Sequence, residues 1–238
     1  MKKPPSKSKN IFSDINYFFL NKPEIKTQIT FDSEEAKENY TELILQRTGL
    51  GVNKYKMLNI HRIGIEAPPS YIFEELLKWN GDSRWWPNHI AKVNLQDNRL
   101  EDIQISLFGR FKVPVLFRNG KPGFRLLRLF NLSARSFQRT PVPFDGDNAR
   151  YLLYDCSGGY PIGVFAMYVR SSIPERGETE MAQLFMMVGF NFYGKESWSN
   201  WNFVNKTWEG IHNRVTNNVV NRFRQLCEWQ FETFQKGL

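Results

Sequence analysis

The sequence predicts an α+β fold, and three observations predict it. Short β-type segments punctuated by turn residues fill the middle of the chain, from Ile90 to Tyr193. The helical patterns lie outside that run. One of them, Ser199 to Lys236, is long, free of Pro and carries an apolar stripe. Helices kept apart from a meander of antiparallel strands mark an α+β domain.

Taken in order, Met1 to Asn10 is rich in Lys, Pro and Ser and is expected to be disordered. Ile11 to Ile29 has no clear period, but its cluster Phe12, Tyr17, Phe18 and Phe19 needs a surface to pack on. Asp32-Ser33-Glu34-Glu35 supplies a cap and an acidic first turn for a helix over 33–47. Thr48-Gly49-Leu50-Gly51 ends it. Residues 1–50 therefore form an N-terminal extension, and 51–238 the main domain.

That domain opens with a strand, Lys54 to Glu66, stopped by Ala67-Pro68-Pro69-Ser70. Ser70 is placed to cap a short helix, Tyr71 to Trp79, and Arg84-Trp85-Trp86-Pro87 follows as a second short helix or turn. Strands are expected at Ala91–Gln96, Leu100–Phe108, Gly123–Gln138, Ala149–Cys156, Ile162–Ser172 and Thr179–Tyr193. Asn119-Gly120 is a two-residue hairpin turn, because both residues accept positive φ. At 3.6 residues per turn, Trp201, Val204, Trp208, Ile211, Val215, Val219, Phe223, Leu226 and Trp229 share one stripe of the last helix. At 1.5 Å per residue that helix is roughly 55 Å long.

Ile65-Glu66-Ala67-Pro68-Pro69-Ser70-Tyr71-Ile72-Phe73-Glu74-Glu75-Leu76, followed by Arg84-Trp85-Trp86-Pro87, resembles the opening of Bet v 1-like, START-related proteins. The resemblance spans about residues 53–236. It implies a helix-grip fold: a curved antiparallel sheet wrapped around a long C-terminal helix, with two short helices after the first strand. It also implies a deep apolar cavity between sheet and helix. Members of that superfamily bind or transfer lipids, bind hormones and quinones, or act as polyketide cyclases and dehydratases. They share no catalytic motif, so no catalytic residue carries over.

Composition agrees with a chain that lines a cavity or touches something apolar. It has 20 Phe, 9 Tyr and 7 Trp, more flat apolar area than most cores use. A net charge of +8 and a pI near 9.4 allow an anionic partner. Cys156 and Cys227 stand apart, without metal-ligand spacing, and fit two thiols in a reducing compartment. No segment approaches the ~20 apolar residues of a membrane span. The expectation is a cytoplasmic protein, with peripheral contact to a membrane as an option.

Nucleotide-binding Gly-rich loops, nucleophile elbows and zinc spacings are absent, so neither metal nor cofactor is expected. The candidate ligand-binding set is Trp208, Ile211, His212, Val215, Val219, Arg222 and Phe223 on the last helix, with Trp85 and Trp86 at the corner. His212 and Arg222 interrupt the apolar stripe. They are either structural polar groups or the contacts for the polar end of an apolar ligand, Arg222 for an anion and His212 for a hydroxyl or carbonyl. In an enzyme, His212 would be the acid or base.

From Ile103 to Phe144 there is no Asp or Glu, while basic residues alternate with aromatics. Arg118, Lys121, Arg125 and Arg128 form the candidate contact with an anionic membrane surface. An ordinary solvated face is the alternative, and nucleic acid is disfavoured for want of a recognition motif. The functional expectation is a binding or transfer protein for a lipid-like or polycyclic apolar small molecule. The alternatives are a cyclase or dehydratase, and a scaffold whose N-terminal extension fills the cavity.

Overall fold

The computed structural model describes residues 3–40, 57–78, 83–96, 99–107, 131–138, 150–157, 162–191 and 202–237. α1 (Ile11–Asp14) runs directly into a π-helical turn, Ile15–Leu20. The described part of α2 is 34–40. β1 (Met57–Ile65) leads to α3 (Pro69–Leu76). Six strands follow: β2 (Ala91–Gln96), β3 (Arg99–Leu107), β4 (Asn131–Gln138), β5 (Arg150–Ser157), β6 (Ile162–Ser171) and β7 (Ala182–Asn191). α4 (Asn202–Gln235) closes the chain.

The strands form one antiparallel sheet in the order β1-β7-β6-β5-β4-β3-β2. β2 to β7 pair in chain order as a meander, and β1 returns to pair with β7 along its whole length. Side chains alternate across a strand. Ile63 and Ile65 of β1, Met167 and Val169 of β6, and Ala182, Leu184 and Met186 of β7 therefore share one face. That face packs on Ile72, Phe73 and Leu76 of α3 and on Val219, Val220, Phe223, Leu226 and Cys227 of α4. The opposite face carries Ile60, Ala166, Tyr168, Phe185 and Met187, which are buried too. Burial on both faces explains why β6 reads as an apolar run with no clean alternation.

Three expectations change. The helix after β1 starts at Pro69, with Pro68 at the N-cap and no capping side chain; Ser70 is already inside it. Proline at the first helical position has its φ preset and lacks only an N–H that would be unpaired anyway. Among the described residues no second short helix follows: 83–90 take the turn alternative, with Ile90 and Ala91 both donating to the Pro87 carbonyl (2.9 and 2.7 Å). Pro87 disfavours the helical conformation at Trp86. Residues 3–10 have no helix or strand, yet the chain there bonds to the body, Ser8 N–H donating to Ser83 O. The cap of α2 is where the sequence places it, Ser33 Oγ accepting from Ala36 N–H at 2.9 Å.

The N-terminal segment crosses the outside of α4 and then the edge of the sheet. Phe18, 1% exposed, enters the core cluster. Asn218 Nδ2 donates to Phe18 O (2.9 Å). Asn217 and Asn221 both donate to Ile25 O (2.8 and 2.7 Å), and Asn217 Oδ1 accepts from Thr27 N–H (2.8 Å). Gln28 then forms a β-bridge with His61 on the free edge of β1. An irregular segment has backbone groups with no ladder to satisfy them. Asparagine side chains on the helix supply the missing partners.

Candidate functional site

Between sheet and helix, the C-terminal half of α4 is closed by packing. Trp85 lies edge-on to Phe223 with ring centroids 4.9 Å apart. Trp86 packs against Trp85 and donates its indole N–H to Ala91 O (3.2 Å). Val219 and Phe223 belong to the same cluster, and Val215 packs on its margin. Cys227 is fully buried there, and burial raises its thiol pKa well above the ordinary value.

One turn towards the helix N-terminus the interior becomes polar. On β1 the helix-facing positions after Ile65 and Ile63 are His61 and Asn59, 1% and 4% exposed. His61 is bonded at both ring nitrogens, Nδ1 with Thr27 Oγ1 (2.9 Å) and Nε2 with Asn213 Oδ1 (3.3 Å). It thus ties β1 to α4 and to the N-terminal segment. Burial lowers its pKa to about 4, so it is neutral at pH 7. His212, partly buried on α4, is likewise lowered to about 4 by desolvation. Asn59 differs: its buried Nδ2 has no hydrogen-bond partner among the described residues. Val188 lies opposite it on β7.

Arg222 does not join this group. Its guanidinium donates from Nε to Arg84 O and from Nη2 to Ser6 O, and it stacks on the Tyr17 ring at 4.3 Å. No carboxylate pairs with it among the described residues. Beside it Asp14, 1% exposed, accepts from His89 N–H (2.8 Å), from Ser8 Oγ, and pairs with His89 Nδ1 at 3.0 Å. These contacts clamp the N-terminal segment to the Trp-Trp-Pro corner. A small cavity of about 120 Å³ lies between Ser6, Asp14, Tyr17 and Arg222.

We expect Arg222→Met to lower stability by about 1–3 kcal/mol, because two carbonyls lose their donor and no buried charge is orphaned. Trypsin should then cut sooner at Lys7, Lys9 or Lys26, as the segment over α4 loosens. A melt and a digestion time course check this; an unchanged digestion rate would contradict the clamp.

Of the predicted set, the structure brings Trp85, Trp86, Val215, Val219 and Phe223 together. It puts His212 near the polar end, Arg222 against the N-terminal segment, and leaves Ile211 40% exposed. The Trp208 side chain and the basic hairpin, Arg118, Lys121, Arg125 and Arg128, lie outside the described residues. A cleft of about 500 Å³ opens at the sheet edge, outside the sheet–helix interior, between Thr27, Tyr40, Arg62, Glu178, Glu180 and Gln183. No motif in the sequence points to this cleft or to Asn59. The available signal for Asn59 was a polar residue on the strand parity of Ile63 and Ile65, a parity it shares with His61.

No family model and no curated protein matches the sequence. Among solved structures, the chain is similar to the Zhui aromatase/cyclase from Streptomyces sp. R1128, at 14% identity and a TM-score of 0.41, over 74% of this chain and 94% of that one. It is also similar to the lipid transfer and protein localization domain of human StarD13 (DLC2), at 14% identity and a TM-score of 0.37, over 70% of this chain and 75% of that one. The fold described above rests on its own strand order and helix placement. No helix among the described residues is long and apolar enough to cross a membrane.

Proposed function

We propose that the protein binds or transfers a lipid-like or polycyclic apolar ligand held between the sheet and α4. The observation that carries this is the Asn59 amide, buried on the helix-facing side of β1 with a donor unbonded among the described residues. Buried polar groups in folded proteins are nearly always hydrogen-bonded, and one left unpaired costs about 1–3 kcal/mol. A ligand carbonyl or hydroxyl oxygen would satisfy it. Trp85, Trp86, Val219 and Phe223 would then close the apolar end, Val215 the flank, and His212 the polar end. Trp208 and Ile211 extend the same stripe towards the helix N-terminus.

The charge state narrows the ligand. His61 and His212 are both neutral at pH 7, with pKa values of about 4. The Arg222 guanidinium is already engaged by carbonyls and Tyr17. An uncharged oxygen suits such surroundings better than a carboxylate or phosphate. The same low pKa makes His212 a weak base, which favours binding over a cyclase or dehydratase reaction. The basic hairpin, Arg118, Lys121, Arg125 and Arg128, remains the part of the reading that concerns an anionic membrane.

A second reading draws on Phe18. The N-terminal segment already places this ring in the core, as a scaffold with a filled interior would require. Native mass spectrometry of the purified protein separates the two: a retained small-molecule adduct supports binding, and bare protein after extraction-free purification supports the scaffold. Asn59→Leu tests the site itself. It should leave the ligand-free protein as stable or more stable, and weaken retention about three- to tenfold, the value of one hydrogen bond. Unchanged retention would remove Asn59 from the site.

A further inference from the structure

We infer that the helical segment 11–20 is a wedge that docks on the surface of an anionic lipid bilayer. Its two faces differ. The inner face is anchored by Asp14 and Phe18, each 1% exposed, through the His89, Ser8 and Asn218 contacts. The outer face follows the positions 12, 16 and 20, and it presents Phe12 (78% exposed) and Leu20 (66% exposed) to solvent. Ile15 and Phe19, half-buried, widen the apolar surface. Large apolar side chains projecting from a firmly held turn are costly in water and mark a contact surface.

Charge decides what kind of surface. Lys3, Lys7 and Lys9 before this turn and Lys22 and Lys26 after it are all exposed. Two carboxylates lie within residues 1–31, Asp14 and Glu24. Asp14 is turned inward, and Glu24 accepts from Gln225 (2.6 Å). An apolar tip flanked in sequence by exposed lysines matches the interface of an anionic membrane, where ring and aliphatic groups sit at the acyl boundary and ammonium groups meet phosphates. Because the turn is already ordered by its inner face, docking does not have to fold it.

The test is co-sedimentation of the full chain with mixed phosphatidylcholine and phosphatidylserine vesicles, against pure phosphatidylcholine and against a single-stranded oligonucleotide. The wild type should bind the mixed vesicles, less so as salt rises. Phe12→Ser with Leu20→Ser should lower the partition coefficient by at least about tenfold without moving the melting temperature. Phe12→Leu with Leu20→Met, which keeps the apolar tip, should retain binding. Lys7→Glu with Lys9→Glu and Lys22→Glu should abolish it. The wedge is wrong if the serine pair binds within a factor of about two of wild type. It is equally wrong if the conservative pair fails as fully as the serine pair, or if the wild type ignores mixed vesicles or prefers the oligonucleotide. Reversing Arg118, Lys121, Arg125 and Arg128 is a separate arm: loss of binding there, with the serine pair still bound, assigns the membrane contact to the hairpin instead. None of these readouts depends on an internal ligand.

Discussion

A chain ended after Asn218 does not fold. It loses Val219, Val220, Phe223, Leu226 and Cys227, each between 0% and 3% exposed. Burying side chains of this size contributes roughly 1.5–3 kcal/mol apiece, and together they match the ~5–15 kcal/mol by which a whole domain is stable. The truncation also removes Asn221 and Arg222, which hold Ile25 and Ser6 of the N-terminal segment. The expected product is insoluble, or soluble without a cooperative melt. A truncated protein with a native-like cooperative transition would overturn the central role given to α4. The graded form is Phe223→Ala, which removes one of the two rings edge-on to Trp85 and should cost about 3–5 kcal/mol.

Arg170→Met should be nearly as damaging, at about 3–5 kcal/mol at pH 7, because it strands a buried carboxylate. Arg170 and Glu178 face each other across the end of the β6–β7 hairpin, with side chains 4% and 2% exposed. Two bonds join them, Nη1 to Oε2 at 2.6 Å and Nη2 to Oε1 at 2.7 Å. Ile173 N–H donates to the same carboxylate at 2.8 Å, and Arg62 stands 3.6 Å from Oε1. Burial pushes the Glu178 pKa up. The hydrogen bonds from Arg170 and Ile173, with the charges of Arg170 and Arg62, pull it down further, to a net value below the ordinary 4.5.

The sign of the pH effect follows. In the wild type the folded pKa lies below the unfolded one, so this carboxylate's stabilisation is present above about pH 4.5 and is lost as pH falls through the folded pKa. In the variant only Ile173 and Arg62 still oppose burial, the pKa rises relative to the wild type, and protonation relieves the stranded charge. The stability gap between the two proteins should therefore narrow on acidification. Urea melts of both at neutral and mildly acid pH measure it. A gap that is constant or widens would contradict the assignment, and a loss below about 1 kcal/mol at pH 7 would mean that Arg62 takes over the carboxylate. Both proteins share a background in which His61 and His212, neutral in the fold at pKa values of about 4, favour unfolding as pH drops below 6.5.

The order of elements was legible in the chain because it depends on local signals. Turn residues between apolar segments placed the strands, Ser33 placed the start of α2, and the 3.6-residue period placed Val219, Phe223 and Leu226 on the buried side of α4. These are one-dimensional patterns, and an antiparallel meander followed by a long helix leaves little choice of class. The site was legible only in part, because periodicity says which side of a helix is inward and not what lies there. α4 is buried on two sides by different partners. The sheet takes Val219 and Phe223, while an irregular segment nearly two hundred residues earlier in sequence takes Asn217, Asn218, Asn221 and Arg222. A polar stripe that serves backbone groups of a distant segment looks, in sequence, like the polar end of a ligand site. The division of the cluster into one core ring (Phe18), one ring under Arg222 (Tyr17), one half-buried ring (Phe19) and one ring left in water (Phe12) was also a tertiary decision. So was the orphan donor of Asn59, since whether a buried amide is satisfied depends on partners that only the folded chain brings within reach.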